Sequence, residues 1–200
     1  MKKRANFNRP AKGARITVEP IREVTDIKAI LELLKNKPRD YLLFTMGINN
    51  GLRSGDLLKL KVKDVKYLKP GNTITIREQK TRKDNYLVIN HAVYKAIKVY
   101  LGSVILKDSD YLFVSRKGNG PLTISSVNNL VKKWADSVNL LGNYGAHSLR
   151  KTWGYIQRTV HNVSFEVICK RFNHSNPSIT MRYLGIQDSE VNAALMNEIG

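Results

Sequence analysis

Acidic residues are scarce in this chain: 16 Asp and Glu stand against 34 Lys and Arg, and 200 residues carry a formal charge of +18. That imbalance sets the class of partner as a polyanion, with nucleic acid first and ribosomal or membrane-surface roles as the other readings. Cysteine is nearly missing. Cys169 stands alone, which excludes an intramolecular disulfide framework and suits a reducing compartment. Apolar runs such as residues 41–48 are far too short to cross a bilayer. The basic start of the chain is followed by no apolar run, so no secretory signal is expected. No GxxxxGK[ST] loop is present, and Gly118-Asn119-Gly120 reads as a turn rather than a phosphate cradle, so no nucleotide requirement is expected. Acids are too thinly spread for a two-metal nuclease. Cys169, His147, His161 and His174 have no zinc-motif spacing. What is present in ordinary measure is apolar residues, 42% of the chain, enough to fill one core.

Residues 1–22 read as a basic arm, with Lys2, Lys3, Arg4, Arg9, Lys12, Arg15 and Arg22 against the single acid Glu19. Such a segment is either a solvated tail or a phosphate-contacting arm. A domain over 23–200 follows. Thr25 or Asp26 is expected to cap a helix with an apolar face of Ile27, Ile30, Leu31 and Leu34. Pro38 opens a second helix through Ile48, and Asn50-Gly51 ends it. Ser54 is expected to cap a short helix over Asp56 to Leu60. The period then changes to two: Ile74 and Ile76, a polar turn at Lys80–Asn85, and Tyr86–Ile89 predict a hairpin, with a third strand at Tyr111–Val114. Beyond that the pattern is helical. One stripe runs through Val127, Leu130, Val131, Trp134 and Val138, and further helices are expected at His147–Val160, after Ser164, near Ser178–Leu184 and near Ser189–Glu198. The fold class is α+β, mainly α-helical with a small three-stranded antiparallel sheet.

Three clusters carry chemistry. In Gly51-Leu52-Arg53-Ser54-Gly55-Asp56-Leu57-Leu58-Lys59-Leu60, Arg53 stands at a helix entry, where it either meets an anion or is a plain surface arginine. His147 and Arg150, at i and i+3, share a helix face; they either hold a phosphate oxygen or are a capping histidine and a solvated arginine. His174 precedes Tyr183 by nine positions, a spacing with no periodic meaning, and a loop histidine with a core tyrosine is the plain alternative.

Taken in order, these clusters resemble the signature of the tyrosine recombinases, the phage integrase family. Residues 51–60 match the family's G-L-R-x-S-E-L-x-x-L box, with Gly55 and Asp56 replacing Ser and Glu. Lys80-Thr81-Arg82-Lys83 is similar to its hairpin lysine motif, His147 and Arg150 to its H-x-x-R box, and His174 with Tyr183 to its final histidine and nucleophile. The usual Leu-Gly-His is here Phe172-Asn173-His174. The resemblance implies catalysis by Arg53, Lys80, His147, Arg150, His174 and the nucleophile Tyr183, supported by Asp56. DNA contacts would fall on Lys2, Lys3, Arg4, Arg9, Lys12, Arg15, Arg82 and Lys83. It implies a site-specific DNA recombinase acting through a 3′-phosphotyrosine, without metal or cofactor, on double-stranded DNA. It also implies a homotetramer on DNA, a monomer when free, and a cytoplasmic, nucleoid-associated location without membrane contact. Most members carry a separate N-terminal DNA-clamping domain, whereas here only the arm precedes the match, as in fimbrial inversion recombinases or in a fragment. A non-catalytic DNA-binding protein of the same fold and a type IB topoisomerase-like relaxing enzyme are the alternatives.

Overall fold

The first packed contacts come before the first helix. In a computed structural model, which describes residues 17–116, 118, 120–186 and 192–199, Glu19 N donates to Asn143 O at 2.8 Å and Ile21 N to Thr152 Oγ1 at 2.8 Å. Ile21 is fully buried. The arm expected over 1–22 therefore ends earlier, because an apolar residue with a partnered N–H joins the domain. Lys2, Lys3, Arg4, Arg9, Lys12 and Arg15 lie outside the described residues.

Helix α1 (Val24–Leu34) buries Ile30 and Leu34 and leaves from an extended Glu23 with no side-chain cap. The cap expected at Thr25 or Asp26 is not used; Asp26 instead sits in the first turn, where its charge suits the helix dipole. Helix α2 (Pro38–Asn50) begins on Pro38, whose missing N–H costs nothing at that position, and ends on Gly51 at φ 58°. It is the central helix, with Leu42, Leu43, Phe44 and Met46 all fully buried. Gly47 is where another helix crosses it: a Cβ there would lie 2.7 Å from Leu149 Cδ1.

Two short helices follow, α3 (Ser54–Leu57) and α4 (Val62–Val65). Ser54 is not the cap that its position suggests; its hydroxyl donates to Ala146 O at 3.0 Å and ties α3 to a later helix. Strands β1 (Thr73–Arg77) and β2 (Asp84–Val88) pair antiparallel, from Thr73↔Val88 to Arg77↔Asp84. The third strand is a correction. Tyr111–Val114 makes only isolated bridges, Lys61↔Tyr111 and Val114↔Pro121, and the sheet of the described residues has two strands. Leu112 and Phe113 are both fully buried, and consecutive inward side chains do not fit a pleated edge.

Helix α5 (His91–Ser103) is capped by Asn90, which accepts from Val93 N at 2.9 Å. Thr123 caps α6 (Ile124–Ser137), whose Trp134 meets Phe44 edge-on at 5.9 Å. Helix α7 (Ala146–Thr159) runs against α2 and carries two of the sequence clusters' residues on its first turns. Ser164 caps α8 (Phe165–Phe172) and Asn176 caps α9 (Pro177–Leu184). The main core spans α1 to α7. A second, smaller cluster of Ile168, Phe172, Leu184 and Ile186 joins α8 and α9 to Trp153 and Tyr155 of α7. Of the helix expected at Ser189–Glu198, residues 187–191 lie outside the described residues; 192–195 form one turn, and 192–199 are exposed. Among the described residues, no helix is long and apolar enough to cross a membrane.

Candidate active site

Arg150 is a large buried side chain, 2% exposed on the second turn of α7. A guanidinium survives there only because its N–H groups are spoken for. Nη1 donates to Gly51 O at 2.5 Å and Nη2 to Phe172 O at 2.8 Å. Its plane lies 4.3 Å from the Phe172 ring centroid. Arg150 thereby joins the end of α2 to the end of α8. Two of its five donors serve these carbonyls. Burial, ahead of every other influence, lowers its pKa to about 10; it stays charged near neutral pH.

Arg53, expected at a helix entry, is the residue from which α3 starts. It ion-pairs through Nη1 with Glu78 Oε2 at 2.5 Å, and Glu78 is wholly buried. Burial alone would push the Glu78 carboxyl up. Hydrogen bonds from Thr81, Asn85, Arg53 and Asn173 overcome that and hold it at about 2. Thr81 Oγ1 donates to it at 2.6 Å and Asn85 Nδ2 at 2.9 Å. Its backbone also closes the hairpin turn, with Glu78 N to Lys83 O and Arg82 N to Glu78 O, each 3.0 Å. One buried acid thus orients an arginine and shapes the loop that presents Lys80. Asp56 braces the same loop from behind by accepting from Gln79 N at 3.0 Å. Lys80, Arg82 and Lys83 are exposed on the turn, Arg82 at φ 54°.

His174 and Tyr183 come from the small cluster. Asn173, left-handed at φ 52°, ends α8 and turns the chain so that His174 points back. Its Nδ1 lies 2.9 Å from Thr180 Oγ1, and its ring meets Tyr183 edge-on at 5.3 Å. Burial first, then the charges of Arg150 and Arg53, lower its pKa to about 4. Burial raises the Tyr183 pKa, while the charges of Arg150 and Arg53 oppose that rise. His147 stands exposed at the first turn of α7. Desolvation, then Arg150, Arg53, Lys80 and Lys151, depress its pKa and favour the neutral imidazole.

Arg53, Lys80, His147, Arg150, His174 and Tyr183, spread over the whole chain in sequence, therefore share one electrostatic neighbourhood. Two residues escaped the sequence reading. Glu78 was signalled: Ile74, Ile76 and Glu78 alternate, which places an acid on the inward face of a strand, where it needs a cation. Arg171 carries no such signal. It reaches from α8 to Asn50 O and, at 2.6 Å, to Asn85 Oδ1, locking the hairpin against α8. The donor set of guanidinium, ammonium and imidazole suits an anion rather than a metal cation.

Fold and site together define a class: a mainly helical domain that gathers a buried and a half-buried arginine, two histidines and a tyrosine into one electrostatic neighbourhood. The profile of the phage integrase family matches residues 22–190, and the chain belongs to that family. It is 37% identical over 180 residues to the probable integrase/recombinase YoeC of Bacillus subtilis, covering 88% of this chain and 94% of that one. It is 33% identical to the tyrosine recombinase XerC of Caldanaerobacter subterraneus, covering 80% of this chain but 44% of that relative. Among solved structures, a crystal structure of XerA recombinase superposes with a TM-score of 0.71 at 19% identity, covering 94% of this chain and 68% of the other. XerH bound to its palindromic difH substrate, after cleavage, gives 0.67 at 18% identity, covering 90% of this chain and 53% of that one.

Proposed function

We propose that this site cuts and rejoins DNA strands as a site-specific recombinase, with Tyr183 as the nucleophile. The observation that carries the reading is the half-buried Tyr183 phenol within the electrostatic influence of both Arg150 and Arg53, its ring edge-on to His174 at 5.3 Å. A phosphate drawn to those two cations would lie beside the phenol. A phosphodiester gains negative charge as it becomes pentacoordinate, so fixed cations aimed at its non-bridging oxygens stabilise the transition state. Arg53 and Arg150 supply planar forks that stay charged at working pH. His174 adds a third donor once the phosphate's charge favours its protonation.

Tyr183 attacks phosphorus, the P–O5′ bond breaks, and a 3′-phosphotyrosine retains the bond energy for the second transesterification. The phenol's reference pKa is about 10, so its proton must leave during attack; neutral His147 accepts it. Lys80 on the hairpin protonates the leaving 5′-oxygen. Asp56 holds the loop that carries Lys80. Arg82 and Lys83 on the exposed turn, with Lys2, Lys3, Arg4, Arg9, Lys12 and Arg15, contact the DNA backbone and give binding a steep salt dependence. The working assembly is a tetramer on two duplexes at the nucleoid.

The test uses double-stranded DNA carrying the cognate site with a nick beside the scissile phosphate, so that the released end diffuses away and the covalent adduct accumulates. Tyr183→Phe is expected to abolish the adduct in the presence of a chelator while DNA affinity changes less than about twofold. An adduct that persists in Tyr183→Phe would move the nucleophile elsewhere. Relaxation of supercoiled DNA with no recombinant product on any site would favour the topoisomerase reading.

A further inference from the structure

Among the described residues, Lys151 is the one buried lysine. It follows Arg150 on α7, is 9% exposed, and holds its Nζ 4.6 Å from the centre of the Tyr183 ring. The steps above leave it without a task. A buried ammonium is costly unless it is compensated, and the face of this ring is its compensation among the described contacts.

We propose that Lys151 is a positioning residue that tunes Tyr183, stabilising the phenolate character that develops on the ring during strand cleavage and again during resealing. The inference deepens the reading of Tyr183 as nucleophile and rests on it. A cation over an aromatic face is attracted by the ring's electron density. That density rises when the O–H bond breaks, because the phenolate charge spreads into the ring. Interactions that are stronger in the transition state than in the ground state are the ones that accelerate a reaction. Burial works against ionisation of Tyr183, and Lys151 offsets it from the ring face while Arg150 does so at the hydroxyl. No proton passes through Lys151: the phenol proton goes to the base, the O–P bond forms, and the 5′-oxygen departs. The same cation serves the reverse step, when Tyr183 leaves.

The charged groups around Tyr183 are Arg150 and Lys151 from α7, Arg53 from the entry to α3, His174 from the α8–α9 connection and Arg182 on its own helix. Glu19 and Arg22 of the N-terminal segment act on Lys151 in turn. Burial, ahead of Arg22, lowers the Lys151 pKa below the usual lysine value, so its charge is lost at a lower pH than that of an ordinary lysine.

The experiment measures the rate of adduct formation on saturating nicked DNA from pH 6.5 to 10 for the full chain, Lys151→Met and Lys151→Arg. At neutral pH, Lys151→Met is expected to be about tenfold slower, equivalent to about 1.4 kcal/mol, with resealing slowed by the same factor. Lys151→Arg stays within about threefold of the parent chain. The gap between parent and Lys151→Met closes as pH rises, because the parent loses its cation; Lys151→Arg keeps its rate. A gap of constant size across the range, or no gap at all, overturns the proposal. If the parent forms no adduct, or Tyr183→Phe forms one, the nucleophile assignment falls and this inference with it.

Discussion

The two halves of the candidate site are built to different standards. Arg53, Glu78 and Arg150 are anchored in the large core: Glu78 is wholly buried, and Arg150 is fixed at both ends by backbone carbonyls. Tyr183 stands on α9 and His174 on the connection from α8, two eight-residue helices held by a handful of apolar side chains. Phosphate-holding groups gain from rigidity, since stabilisation by fixed dipoles requires that they not reorganise during the reaction. The nucleophile must instead move with the phosphorus as its bond forms and breaks. A small satellite cluster, poor in buried contacts, belongs to the low end of local stability.

Arg150 is the clasp between the halves, so Arg150→Ala is expected to have the largest effect. It removes the donor from Gly51 O and Phe172 O together and leaves Glu78 with one cation fewer. Loss of about 3–5 kcal/mol in denaturant unfolding and of at least about 10³-fold in adduct rate is expected. Arg150→Lys should rescue neither, because one ammonium cannot span two carbonyls. Recovery by lysine would mean that the clasp is simple charge.

Glu78→Gln comes next, at about 2 kcal/mol, and it carries a pH signature. The Glu78 pKa is about 2 in the folded chain against 4.5 for the ordinary group. Its contribution to stability is therefore full above pH 4.5 and is lost as pH falls toward 2. Chemical denaturation across that window should show the parent losing stability that Glu78→Gln never had.

Two glycines sharpen the contrast. A Cβ at Gly47 would lie 2.7 Å from Leu149 in the large core, and one at Gly154 would lie 2.7 Å from Phe172 Cζ in the small cluster. Each alanine substitution is expected to cost about 1–3 kcal/mol through overpacking. Gly154→Ala should also lower the adduct rate beyond its effect on stability, since Phe172 stacks edge-on against Tyr183 at 5.5 Å. Equal effects on rate would show that the two regions are not mechanically distinct.

A second pH signature belongs to His174. Its pKa is about 4 in the folded chain against 6.5 for free imidazole, so between those values the unfolded chain binds more protons. Stability is then expected to fall as pH drops from 6.5 toward 4. His174→Gln should flatten that part of the thermal-melting profile.

Much of this was legible in the residues. Ile27, Ile30 and Leu34 announced α1, Pro38 and Gly51 bracketed α2, and Ser164 marked the start of α8, because each signal acts within one turn of chain. The ordered motifs named the family, whose profile covers most of the chain. Helix α5 was not among the expected elements, although Val93, Ala96, Ile97 and Tyr100 stand at helical spacing. Other features depended on distant partners. Ser54 gave up its capping role for Ala146 O, 92 positions away. Tyr111–Val114 looked like a strand, yet its neighbours are Leu60 O on one side and Leu122 N on the other, so it never reaches the hairpin. Arg171 could not be foreseen, because its partners, Asn50 and Asn85, are polar residues with no sequence relation to it.

The most direct measurement is peptide mapping of the adduct trapped on nicked DNA in the presence of a chelator. The account requires that the nucleotide-bearing peptide carry the modification on Tyr183, joined to a 3′-phosphate. A nucleotide found on any other residue, or a linkage to a 5′-phosphate, would contradict it.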